Sequence, residues 1–226
     1  MSTPNHVDDV YLELPRSYLD LRGLVIWFAP LSVVLPFLAS LLIFDAFSGV
    51  LEFLAYMSGF ELLGIFSAFL FFRLDASAPR DLPLRFNRLR RRMYAYEFKP
   101  ILWNPFARWP VRAAAYDWDD VRAEAWSQGG MAGSGVYFSK SGVVLSVVKP
   151  GTNEVVDRFQ LRAKANDEKA WAYICTYMQQ GPQALPPSKW KPRDWNNEPT
   201  MNLARLLAPK VKWPEEMDVE SRTAPS

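Results

Sequence analysis

Few side chains in this sequence are of the kind that do chemistry. Glu61 is a carboxylate in the middle of an apolar run, Asp117, Asp119, Asp120 and Glu124 cluster around Trp118, and Cys175 and His6 are the single thiol and imidazole. A carboxylate in an apolar span could carry a proton or line a channel, an acidic cluster could hold a hard cation, and a thiol could be a nucleophile. None has the partners its chemistry demands. The acids lack His or Cys at ligand spacing and read as a turn cap with a solvated outer face. Cys175 shares an apolar helical stripe with Trp171, Ile174 and Met178, has no neighbour that would lower its pKa, and reads as a core packer. Glu61 has no Lys, Arg or His in its span or the preceding one and would be carried neutral, or hydrogen-bonded to Ser32, Ser40 or a second chain. Gln128 to Gly135 is glycine-rich but lacks the Lys-Ser/Thr ending of a phosphate-binding loop. The expectation is a protein that is not an enzyme, with no catalytic residue, metal or cofactor.

The element that positions Glu61 dominates the sequence. Leu24 to Phe44 has no charged residue, and about Val50 to Phe72 is interrupted only by Glu52 and Glu61. Each run is long enough, at about 1.5 Å per residue, to cross a hydrocarbon layer of roughly 30 Å. Pro30 and Pro36 predict a kink in the first helix. About Asp45 to Gly49 leaves room only for a tight turn, so the helices must be antiparallel neighbours. Ala55, Gly59, Gly64 and Ala68 give small-xxx-small spacings that suit packing within this hairpin. Arg16 and Arg22 precede the hairpin and Arg73 to Arg92 follow it, while the turn has no basic residue. The positive-inside rule therefore predicts an inner-membrane protein with both termini and the remaining domain cytoplasmic.

The chain has 226 residues and a formal net charge of +2, which leaves one soluble domain after the hairpin. The single Cys excludes an internal disulfide. The fold class expected is α+β: a tail at 1–22, the transmembrane hairpin at 23–73, a linker at 74–84, a mainly antiparallel β domain with a closing amphipathic helix at 85–181, and a Pro/Trp-rich extension at 182–226. Val10, Leu12 and Leu14 alternate, which suits either a short strand added to the downstream domain or, as the preferred reading, an extended juxtamembrane tail. Met93 to Phe98 predicts a strand, and Val111 to Tyr116 suits strand or helix. Val136 to Phe138, Val143 to Val148 and Val155 to Leu161 predict a meander with turns at Ser139 to Gly142 and around Pro150-Gly151. Trp171, Ile174, Cys175 and Met178 mark a helix stopped by Gly181-Pro182. A short helix is expected at Met201 to Leu207, and the last dozen residues are expected to be mobile. This order fits a pleckstrin-homology-like split barrel, or a smaller sheet with a helix on one face.

Two sets of side chains are candidates for contact. Arg85, Arg88, Arg90, Arg91 and Arg92 lie within reach of an anionic inner leaflet and are expected to touch lipid headgroups; a juxtamembrane position argues against nucleic acid. The aromatics Trp103, Phe106, Trp109, Trp190, Trp195 and Trp213 are candidate contacts for a protein partner. Core burial is the competing reading for each of them.

Arg85-Phe-Asn-Arg-Leu-Arg-Arg-Arg-Met-Tyr-Ala-Tyr96, Pro105-Phe-Ala-Arg-Trp-Pro110, Tyr116-Asp-Trp118, Glu154-Val-Val-Asp-Arg-Phe159 and Tyr177-Met-Gln-Gln-Gly-Pro182 resemble an uncharacterised bacterial inner-membrane family. That family is encoded beside Vgr, PAAR and Rhs-type genes of type VI secretion systems. The resemblance implies a role in bacterial antagonism, as an immunity protein that binds a cognate toxin. It carries no catalytic residues. A membrane-anchored lipid-binding or scaffolding protein is the alternative.

Overall fold

A computed structural model describes residues 3–16, 22–43, 49–131, 137–161, 167–187 and 192–225. Residues 44–48, where most of the expected hairpin turn falls, residues 132–136, which include the end of the glycine-rich stretch, and Trp190 lie outside them.

Two antiparallel sheets and a helix enclose the core, and the apolar helices stand apart from it. A 3-10 turn at Val25–Trp27 leads into α1 (Phe28–Ile43), and α2 is Val50–Ala76. Both are long and apolar enough to cross a membrane, and most of their side chains face outward. They pack closely at one point. Pro36 has no N–H, so the carbonyl of Ser32 four residues earlier has no helical donor. That carbonyl lies over Gly64, where a Cβ would sit 2.5 Å from it, and the Ser32 hydroxyl donates to the Gly64 carbonyl at 3.2 Å. Gly59 faces open space. The small-residue pattern thus serves the hairpin through Gly64.

The first sheet is ordered β1 (His6–Val7), β2 (Tyr11–Leu14), β3 (Leu84–Asn87), β4 (Arg92–Phe98), β5 (Val111–Asp117). The alternating Val10, Leu12 and Leu14 are therefore not a loose tail. Leu12 pairs with Phe86 and Leu14 with Leu84, and all four side chains are buried. Burying that apolar alternation outweighs the entropy of ordering a short segment. Of residues 74–84, expected as a linker, 74–76 finish α2, 77–83 form an irregular connection and Leu84 opens β3; Asp75, Asp81 and Pro83 are buried.

The second sheet is β6 (Val121–Met131), β7 (Tyr137–Val148) and β8 (Val155–Gln160). Its meander differs from the expected one. No turn occurs at Ser139 to Gly142; β7 runs through, and Val121–Met131, after the 3-10 turn Trp118–Asp120, supplies the missing strand. Gly142 serves packing, because a Cβ there would meet the Trp126 indole at 2.8 Å. The Pro150-Gly151 turn is as expected: Thr152 N–H donates to the Lys149 carbonyl at 3.0 Å and Gly151 has φ +73°.

The helix α3 (Asp167–Gln180) puts Ala170, Tyr173, Ile174, Tyr177 and Met178 into the core with Leu145, Val147, Phe159 and Leu161. Gly181, at φ +90°, ends it by donating to the Tyr177 carbonyl at 3.0 Å. A short helix α4 (Leu203–Leu207) follows, capped by Asn202. Within the last dozen residues, expected to be mobile, Glu215–Arg222 form α5, held by groups described below.

Candidate functional site

Charged residues flanking the hairpin tie its two ends together. The Asp75 carboxylate, at the end of α2, accepts from Gly23 N–H at 2.9 Å and Ile26 N–H at 2.8 Å, the free donors that open the α1 segment. In return, the Arg22 guanidinium donates to the carbonyls of Pro79 (2.5 Å), Asp75 (3.1 Å) and Ala78, where α2 ends. Each charge also has the sign its helix end favours. Burial lowers the pKa of Arg22 to about 10, which leaves it cationic at neutral pH. Glu61 lies on the seam face of α2 with Met57 and Gly64, half-buried at mid-span.

A second pair of buried charges ties residues 81–82 to the sheet. Arg16 donates to the carbonyls of Leu82 (2.7 Å) and Tyr96 (2.6 Å) and pairs with Glu97. The Asp81 carboxylate accepts from Asn5 Nδ2 and Leu82 N–H, both at 2.8 Å. Burial is the dominant influence on Asp81 and pushes its pKa up to about 6. In α3, Cys175 is half-buried and lies outside the buried core, and burial pushes its thiol up.

The Arg block does not stand free as a lipid-facing array. Arg85 is buried; it pairs with Glu13, donates to Asp218 at 2.6 Å and Ser221 at 2.9 Å, and lies 4.5 Å from the Trp213 ring centroid. Arg88 lies over Gly181 at the C-terminal end of α3. Arg90 donates to the carbonyls of Thr223 (3.0 Å) and Ala224 (2.8 Å), and Arg92 pairs with Asp117 (3.1 Å) and Glu220 (2.6 Å). Arg91, the most exposed of those paired, meets Asp119. Asn87, fully buried, adds Nδ2 bonds to the Ser221 and Thr223 carbonyls. The block is thus a dock for the acidic helix α5, and Arg85 in particular is unavailable to lipid. The signal was present in the sequence: four acids between Glu215 and Glu220 complement the basic block.

Where β1 to β3 face α5 and the 194–213 segment, an open polar cleft of about 620 Å³ remains. His6, Tyr11, Glu13, Arg85, Trp213 and Arg222 line it, with Asp194 and Lys212 also contributing. Both charge signs and two aromatics converge on it, a mixture suited to a polar macromolecular contact.

The six contact aromatics part company. Trp109 is buried under the Arg73 guanidinium, 4.6 Å from its ring centroid, and its Nε1 donates to the Asn104 carbonyl at 3.1 Å. Trp195 sits between Arg193 and Arg205, at 4.2 and 5.0 Å, and Trp213 lies between Arg85 and Tyr96. Trp103 and Phe106 are 80% and 70% exposed. Trp190 is outside the described residues. Trp213 belongs to the cleft, whereas Trp103, Phe106 and Trp109 share one loop beside α2. Among the described residues no cluster of His, Cys, Asp and Glu is arranged to hold a metal ion.

A pair of apolar helices set into an antiparallel double-sheet domain defines the class: an α+β protein with two candidate membrane spans. The profile of a family of unknown function, DUF6708, matches residues 62–225, and the chain belongs to that family. No curated protein and no solved structure matches it significantly.

Proposed function

We propose that this protein is an inner-membrane immunity protein that neutralises a cognate type VI secretion toxin by direct binding, with its termini and α+β domain in the cytoplasm. The observation that carries the contact reading is the mixed-charge cleft lined by Tyr11, Arg85, Trp213 and Arg222. It is preformed, because buried ion pairs of Arg85 with Glu13 and Asp218 fix its floor. Preorganisation of this kind lowers the ordering cost of binding a partner. The two apolar helices, the basic residues around them and the resemblance to proteins encoded near Vgr, PAAR and Rhs-type genes support the membrane address and the antagonism role.

The test is deletion of the gene in a strain that keeps the neighbouring toxin gene. Sensitivity to kin, restored by the wild-type protein but not by a Lys212→Glu/Arg222→Glu variant present at equal level in the membrane, is the expected result. Unchanged survival of the deletion strain, with altered envelope morphology, would favour the second reading, a membrane-anchored lipid-binding or scaffolding protein. The exposed apolar residues beside the hairpin favour that reading.

A further inference from the structure

Two elements outside the apolar helices expose apolar side chains beside the hairpin. The first is the β4–β5 connection, Lys99 to Pro110. Leu102 is 54% exposed, Trp103 80% and Phe106 70%, yet the Phe106 ring stacks on Phe69 of α2 with centroids 4.8 Å apart. Phe69 lies four residues inside Arg73, about 6 Å along the helix toward its apolar centre. The loop therefore follows α2 past its last basic residue and onto its apolar surface. It is also built to leave water. Asn104 Oδ1 accepts from Phe106 N–H and Ala107 N–H at 3.1 Å, Asn104 N–H donates to Ile101, and Lys99 N–H donates to Pro110, both at 3.1 Å. Arg73 donates to the carbonyls of Pro105 and Ala107. Backbone groups satisfied in this way remove the main penalty for entering a lipid phase.

The second element is α4. Asn202 Nδ2 donates to the Arg22 carbonyl at 2.8 Å and presses on Gly23, which puts α4 at the mouth of the hairpin, against α2. Ala204 and Ala208 are buried there, while Met201, Leu203, Leu206 and Leu207 are exposed, Met201 completely. In water these residues have no favourable environment. Their continuity with the apolar surface of the helices identifies what covers them.

We infer that the Leu102–Phe106 loop and α4 form an interfacial collar that dips into the headgroup and upper acyl layer of the bilayer, seating the domain flush on the membrane. The occupant is lipid. Trp and Phe suit this boundary, and exposed Lys99, Arg108 and Lys210 flank the two elements where anionic headgroups would lie. The inference rests on the helices spanning the membrane, and the test separates the two.

The full chain, with Cys175→Ala as background, carries Trp103→Cys, Leu206→Cys or Leu62→Cys, each labelled with an environment-sensitive fluorophore. Each is placed in nanodiscs of phosphatidylethanolamine and phosphatidylglycerol. A probe at position 62 is expected to be quenched most by lipids with the nitroxide deep in the acyl chain. Probes at 103 and 206 are expected to be quenched most by lipids with the nitroxide near the headgroup, and to resist aqueous iodide. Iodide quenching at 103 and 206, with lipid quenching at 62, would overturn the collar and leave the span standing. Protection at 103 and 206 from both quenchers, as a second copy or a protein partner would give, overturns it equally. Loss of lipid quenching at 62 removes the spanning helices and the collar together.

Discussion

Arg22 and Asp75 cap each other's helices. The carboxylate at the end of α2 holds N–H groups that open the α1 segment, and the guanidinium before α1 holds the Asp75 carbonyl in the last turn of α2 and the Ala78 and Pro79 carbonyls just beyond it. Asp75→Ala removes two buried bonds and leaves a buried cation without its neighbouring charge. The expected loss is about 2–4 kcal/mol, read as reduced thermal stability in detergent. Asp75→Asn keeps an acceptor and should lose less.

The α1–α2 contact depends on the absence of a side chain at Gly64. Gly64→Leu would drive carbon into the Ser32 backbone and should splay the hairpin, whereas Gly59→Leu meets nothing and should be neutral. Disulfide trapping between cysteines placed across the seam should fall for the first variant and persist for the second.

Helix α5 is held by Arg85, Asn87, Arg90 and Arg92. Arg85→Gln and Asp218→Asn, combined in a double-mutant cycle, should show a coupling of about 1–3 kcal/mol, since one partner is buried. Faster amide exchange across Glu215 to Arg222 in each single variant would accompany it.

Asp81 gives a pH dependence of definite sign. Its folded pKa, about 6, stands above the ordinary aspartate value of 3.8, so between these values the folded state binds more protons than the unfolded one. Stability from this group is fully present below about pH 4, falls as pH rises to about 6, and is flat beyond, by at most about 3 kcal/mol. Asp81→Asn should flatten that limb in denaturant titrations at fixed pH. An unchanged slope would mean that another group carries it.

The sequence announces its apolar helices, the Lys149 to Thr152 turn and α3 through local signals: length, Pro-Gly, and a 3.6-residue period ended by Gly181. It conceals what depends on distant segments. Leu12 and Leu14 look like a tail because their partners, Phe86 and Leu84, lie beyond the hairpin. Arg85 to Arg92 look like a lipid-facing patch because the neutralising acids, Glu13, Asp117, Asp119, Asp218 and Glu220, all come from other segments. Ser139 to Gly142 looks like a turn, but the glycine there admits the indole of Trp126. The cleft is least legible, since its walls come from the first strands and the final helix, at opposite ends of the chain, and no pattern in either one names the other.

If the two apolar helices span a membrane, as proposed, the pairing of β2 with β3 has a consequence for how the chain enters it. These neighbours, joined by the Glu13–Arg85 ion pair, are the strands that bracket both apolar helices. Their edges can meet only if the chain crosses the bilayer an even number of times between them. A nascent chain with one helix inserted and the other left behind would strand β2 and β3 in separate compartments, with neither the five-stranded sheet nor the Arg85 dock able to form. Closure of the sheet is thus a built-in check on insertion, made by the fold and independent of which side of the membrane it occupies.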